Sequence, residues 1–221
     1  MDGCAPVTTN VAFYYDPSCP WCWITSRWLT QVQTERDIDI DWLPFSLAMK
    51  NGELEGDDVT GHLDTHTIAH RVLRIVEAIA RDEGIDRGLL FTEFGKSYFI
   101  DPELDDENFY AAVLNRMGLS ASYLDELDNT DHDTTLRQHL DDAIAVAGDD
   151  IGVPLIVFDT DDGDRVGYFG PVIGKLPTPE RGLEIWDALR VIATGPDFYE
   201  LKRKRARRSK VKTTKRLFPE L

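Results

Sequence analysis

The chain has 221 residues, 42% of them hydrophobic, enough for one large domain or a smaller one carrying an insertion. Its formal charge of −16 is unevenly placed: residues 1–201 hold 14 basic and 39 acidic side chains, residues 202–221 hold 10 basic and 1 acidic. No apolar run approaches the roughly 20 residues of a membrane span, three cysteines make no disulfide framework, and so acidic a body argues against nucleic-acid binding through the main domain.

The opening "MDGCAPVTTN" has neither a basic start nor an apolar stretch of the secretory kind, so a cytoplasmic location is expected. "NVAFYYD" (10–16) is short, apolar and aromatic and reads as a buried strand, broken by "DPSCP". From Trp21 onward Ile24, Trp28 and Val32 recur at helical spacing, with Leu29 beside them. "IDIDWLPFSL" alternates Ile38, Ile40 and Trp42 with Asp39 and Asp41, a second strand that Pro44 should break.

From about 57 to 150 strand signals nearly vanish, and four or five helices are predicted. "HTIAHRVLRIVEAIARDEG" puts Ile68, Val72, Ile75 and Ile79 on one face and stops at Gly84. "RGLLFTEFGKSYF", "DDENFYAAVLNRMG", "SASYLDEL" and "DHDTTLRQHLDDAIAVAG" follow, the last with Leu136, Leu140, Ala143 and Ala147 on one face. "VPLIVFD" and "RVGYFGPVI" then make a hairpin around "DTDDGD". "TPERGLEIWDALRVIAT" is a helix with Pro179 in its first turn, and "PDFYELKRKRARRSK" opens a last, basic helical stretch. Strand, helix, strand, helical block, hairpin, helix is the order of an α/β thioredoxin-like fold with an inserted all-helical domain. The first two strands are parallel through a right-handed crossover. The division expected is residues 1–56 and 151–201 for the thioredoxin-like domain, 57–150 for the insertion and 202–221 for a basic tail.

Cys19 and Cys22 bracket Pro20 and Trp21 where the first strand gives way to the first helix. A cysteine attacks only as thiolate, and a helix N-terminus stabilises that anion through unpaired N–H groups and a partial positive charge. Cys19 should therefore be the exposed, low-pKa nucleophile, Cys22 the buried resolving partner, and Pro20 the residue that preforms the first turn. Half of a zinc site or a plain buried pair are the alternatives, but no second CxxC or paired His of finger spacing supplies the missing ligands, so no metal is expected. Pro154 opens a strand after Val153; a cis bond there would leave the preceding backbone free to pair with an extended substrate. Trp21, between the cysteines, offers no charge to stabilise the reduced thiolate as a His there would, which predicts a weaker oxidant and a reductase.

"FYYDPSCPWCWITSRWL", "DDIGVP", "YFGPVIGKLP", "IWDALR" and "FYELKR" together resemble the cytosolic DsbA-like reductases of mycothiol-producing bacteria, the mycothiol-dependent nitroreductase family, over about residues 10–205. The resemblance implies reduction of a disulfide or of a nitro-aromatic or other electrophilic substrate. Mycothiol or a mycoredoxin-type partner would be the reductant, with no tightly bound cofactor and with a homodimer as the form to expect. It carries the nucleophile to Cys19, the resolving role to Cys22 and the cis-proline to Pro154. Val153 stands where relatives often have Thr, and Asn51 falls where they place a pocket asparagine. Two other readings on the same fold are a kappa-class-like glutathione transferase or isomerase, which needs no Cys22, and a chaperone holding peptides beside Pro154. His62, His66 and His70 recur at helical spacing and read as a solvated face or one lining the groove over the dithiol. Trp21 could stack on an aromatic substrate, whereas Trp23, Tyr14, Trp42 and Trp186 read as core. The tail could bind nucleic acid or another anionic surface, but against so acidic a body it reads as a basic helix lying on its own or a partner subunit's surface.

Overall fold

The computed structural model describes residues 8–54, 65–101, 109–160, 162–195, 197–205 and 208–220. β1 (Thr9–Tyr15) is central, and every residue from Val11 to Tyr15 is buried, as a strand covered on both faces must be. It leads through a tight turn into α1 (Pro20–Gln33) and then into β2 (Ile38–Pro44), which lies parallel to it with Phe13 beside Trp42. Ile38, Ile40 and Trp42 point inward and Asp39 and Asp41 outward, as the alternation requires, and Pro44 closes the strand from within it. β3 (Leu155–Asp159) and β4 (Arg165–Phe169) form the hairpin, antiparallel to each other and to β1, so the strand order is β2-β1-β3-β4.

Between β2 and β3 lie α2 (Leu47–Lys50), α3 (Thr65–Glu83), α4 (Arg87–Gly95) with a π turn over Lys96–Ile100, α5 (Phe109–Arg116), a 3₁₀ stretch over Ala121–Asp128, and α6 (Asp133–Ala147). Val72, Ile75 and Ile79 of α3 build a core of their own with Phe94, Val113, Leu114 and Leu127. α6 does not join it: Leu136, Leu140 and Ala143 pack into the sheet's core, and a Cβ on Gly167 of β4 would sit 2.9 Å from Ala147. On the opposite face Phe158 of β3 meets Trp186 of α7 (Pro179–Ala193) at 5.7 Å, and Trp186 meets Trp28 of α1 at 6.2 Å. The architecture is thus an α/β thioredoxin-like fold with helices between its second and third strands.

Two expectations are corrected here. The stretch from Phe198 through Lys210 is not helical where it is described, and only Val211–Leu217 winds, as a 3₁₀ turn. A run of Lys and Arg offers no apolar face for packing to stabilise a helix, and like charges a turn apart repel. His70 does not lie on a solvated face. It is 1% exposed, bonded to Ser46 Oγ at 2.9 Å and to Asp133 Oδ1 at 3.0 Å, with Arg74 gripping the same carboxylate. His66 pairs separately with Glu53, and His62 lies outside the described residues.

Candidate active site

The site begins where β1 ends. Asp16 turns the chain: its backbone carbonyl accepts from Cys19 N–H at 3.0 Å, while its buried carboxylate accepts from Ser18 N–H at 2.8 Å and from Leu47 N–H of α2 at 2.9 Å. This fixes Cys19 as the N-cap of α1, with Pro20 as the first helical residue. A proline costs nothing there, because that position's N–H has no intrahelical partner.

Cys19 Sγ accepts the Cys22 N–H at 3.4 Å, so the sulfur does what a capping oxygen does elsewhere. It also lies 3.5 Å from the Val153 carbonyl, to which its thiol donates. The Val153–Pro154 peptide is cis, and the Pro154 carbonyl accepts from Gly170 N–H at 2.7 Å, tying that loop to the end of β4. Cys19 is only 7% exposed, which corrects the expectation of an open sulfur: the Val153 loop covers it.

The two thiols are driven apart. Hydrogen bonding from the Cys22 thiol and backbone N–H holds Cys19 below the ordinary cysteine range, against burial and the nearby Asp16 charge. Burial, with the Cys19 sulfur beside it, pushes the fully buried Cys22 thiol well up. Burial also raises the Asp16 carboxyl.

Behind the dithiol, Trp23 is wholly buried, stacked on Phe99 (5.5 Å) and Phe218 (6.1 Å) and edge-on to Phe91. Gly95 is required beside it, since a Cβ there would come within 2.2 Å of the indole. Arg27 lies over the same indole at 4.7 Å; burial lowers its pKa to about 9, so it stays cationic at neutral pH. Trp21, by contrast, is only half-buried and carries the Arg205 guanidinium 5.5 Å from its ring.

Cys19, Pro20, Trp21, Cys22, Val153 and Pro154 therefore share one place. Asn51 caps the end of α2 and donates to Glu53 Oε1 at 2.8 Å, an exposed contact. Sequence reasoning passed over Asp16, Arg27 and Arg205. An acidic residue at the strand end just before the dithiol was a usable signal for the first, and a cation four residues after Trp23 for the second.

The family described as Rv2466c-like, mycothiol-dependent nitroreductase Rv2466c, matches residues 18–203. The chain is 27% identical over 198 residues to the uncharacterized protein Rv2286c of Mycobacterium tuberculosis, covering 88% of this chain and 82% of that one. Its structure is similar to cytosolic disulfide reductase DsbM from Pseudomonas aeruginosa (TM-score 0.54, 16% identity, 82% of this chain and 99% of that one). It is also similar to probable DsbA oxidoreductase SCO1869 from Streptomyces coelicolor (TM-score 0.53, 17% identity, 88% and 100%). The two structures carry the DsbA-like fold, and the family match ends before most of the basic tail.

Proposed function

The chain belongs to the Rv2466c-like family of mycothiol-dependent nitroreductases, and on that premise we propose that Cys19 and Cys22 are its working dithiol. The observation that carries the reading is the split between the sulfurs: a lowered thiol at the helix mouth, bonded to a raised and buried one. The Cys19 thiolate attacks one sulfur of a disulfide substrate. The Cys19–substrate bond forms, the substrate's S–S bond breaks, and a thiolate leaves. Cys22 then loses its proton and displaces the second half of the substrate, closing the Cys19–Cys22 disulfide. Two mycothiol thiols, or a mycoredoxin-type partner, restore the dithiol and are themselves oxidised. With a nitro-aromatic acceptor the same two electrons, with two protons, leave a nitroso product and water. The Val153 carbonyl and Pro154 would hold an extended substrate beside Cys19, with Trp21 as its stacking surface. Asn51, at the end of the short helix whose first N–H is bonded to Asp16, would line the substrate pocket.

Among the described residues no helix is long and apolar enough to cross a membrane, which fits the cytoplasmic location proposed. A transferase or isomerase working with one thiol would not need a second thiol hydrogen-bonded to the first. The test is turnover of a disulfide substrate with mycothiol as electron donor, alongside the midpoint potential of the pair in mycothiol and glutathione buffers. Loss of turnover in Cys19→Ser and a potential well below that of DsbA, roughly −120 mV, are expected. Full turnover in Cys19→Ser would end the proposal.

A further inference from the structure

The basic tail is docked, and it is docked at the dithiol. Lys210 N–H donates to the Gly174 carbonyl at 2.9 Å, and Thr213 Oγ1 accepts from Leu176 N–H at 3.1 Å. Arg216 reaches the Pro177 carbonyl. Thr214, wholly buried, accepts the Trp23 indole N–H at 2.9 Å, and Phe218 stacks on the same indole under Lys96. At the other end, Tyr168 of β4 donates to the Phe198 carbonyl. The intervening chain is thus pinned at both ends, and Arg205 comes to lie on Trp21, the residue between the two cysteines.

Two lysines are tethered close by through the backbone. A Cβ on Gly174 would be in contact with the Trp21 ring at 3.8 Å; exposed Lys175 follows it in the chain, and the Lys210 backbone N–H is bonded to its carbonyl. The rest of the molecule has the opposite sign: residues 1–201 carry a formal charge of −25 and residues 202–221 carry +9. A body so acidic repels anions from its surface, while a local cationic patch draws them to one point. Arginine suits this place, because its planar guanidinium stacks on an indole and still directs donors at a carboxylate.

We propose that Arg205, carried by the docked tail, is a specificity-determining residue that selects substrates bearing an anionic group beside the bond to be reduced. The inference rests on the dithiol reading above. Such a substrate lays its aromatic or aliphatic body near Trp21 and its carboxylate against Arg205, with the reacting sulfur at Cys19. Chemistry at the sulfurs is unchanged; what changes is which electrophile reaches them.

The experiment uses the reduced full-length chain in a Cys4→Ser background, so that only Cys19 and Cys22 report. Two aromatic disulfides serve as probes: the dianionic 5,5′-dithiobis(2-nitrobenzoate) and the neutral 4,4′-dithiodipyridine. Stopped-flow absorbance gives the second-order rate for each and the number of arylthiolates released. Arg205→Gln should lower the anionic-to-neutral rate ratio by about threefold or more, Arg205→Glu should lower it further, and added salt should compress the wild-type ratio. An unchanged ratio in Arg205→Gln, or an equal fall for both probes, overturns the inference. Two arylthiolates per chain in that same experiment leave the dithiol reading standing. Fewer than two from the wild type sinks the dithiol reading itself, and this inference with it.

Discussion

The front and the back of the dithiol turn carry the same residue types with opposite fates. Trp21 and Trp23 flank Cys22 in one helical turn. Two residues along a helix is about 200° of rotation, so the two indoles point to opposite sides. Trp21 is half-exposed beneath an exposed arginine; Trp23 is sealed among Phe91, Phe99, Phe218 and the buried Arg27. The sulfurs divide likewise, Cys19 outside the helix as its cap and Cys22 within the first turn at 0% exposure. Helical phase, and not hydrophobicity, decides which side meets a substrate and which holds the scaffold.

If that division is real, substitutions on the two sides should separate activity from stability. The largest effect belongs to Cys22→Ser. In a Cys4→Ser background, multiple turnover should vanish while Cys19 still attacks once, leaving a stable mixed disulfide visible as one adduct by intact mass. Sustained turnover without Cys22 would erase the distinction between the sulfurs. Next in size is Trp23→Ala, which should cost about 3–5 kcal/mol of folding stability in a urea titration, as large-to-small changes in packed aromatic cores do. Trp21→Ala should cost clearly less. Equal losses at the two positions would mean that front and back are not distinct.

Much of this was legible in local patterns. The alternation of Ile38, Ile40 and Trp42, the burial of "VAFYY", and the strand–CxxC–helix order all act over a few residues. What escaped is long-range. Cys19 is covered by Val153, which is 134 residues away, and the tail is anchored on Trp23 through Thr214, which is 191 residues away. The tail's composition suggested a charged helix, yet what ties it to the Trp23 indole is the Thr214 hydroxyl and the Phe218 ring, neither of them charged. His70 continued the His62 and His66 spacing, which placed it opposite the apolar face, and the sequence could not name the partners that let it be buried. Those are Ser46, the N-cap of α2, and Asp133, at the start of α6.

A smaller effect tests how the front is tuned. The Asp16 charge opposes the Cys19 and Cys22 thiolates. Asp16→Asn removes the charge and keeps one acceptor oxygen for the turn, where the carboxylate offers Oδ1 to Ser18 and Oδ2 to Leu47. The Cys19 titration midpoint, followed by thiolate absorbance against pH, should therefore move down. An unmoved midpoint would mean that Asp16 acts on the dithiol only through the turn it holds.

The smallest effect tests the back. Burial holds the folded-state pKa of His70 below its ordinary 6.5, although Asp133 pulls the other way and Arg74 adds to the depression. As pH falls, the unfolded chain takes up this proton first, so stability from neutral His70 is complete above about 6.5 and is lost as pH falls through the folded-state value. Asp16 works in the opposite sense: its raised pKa makes the folded chain hold a proton that the unfolded chain releases, which favours the fold as pH falls through that range. The two contributions overlap in absolute stability, so the informative quantity is the difference between the wild type and His70→Gln. Below about pH 6.5 the His70→Gln curve should be flatter than the wild type's. Parallel curves would show that the Ser46–His70–Asp133 link does not sense pH.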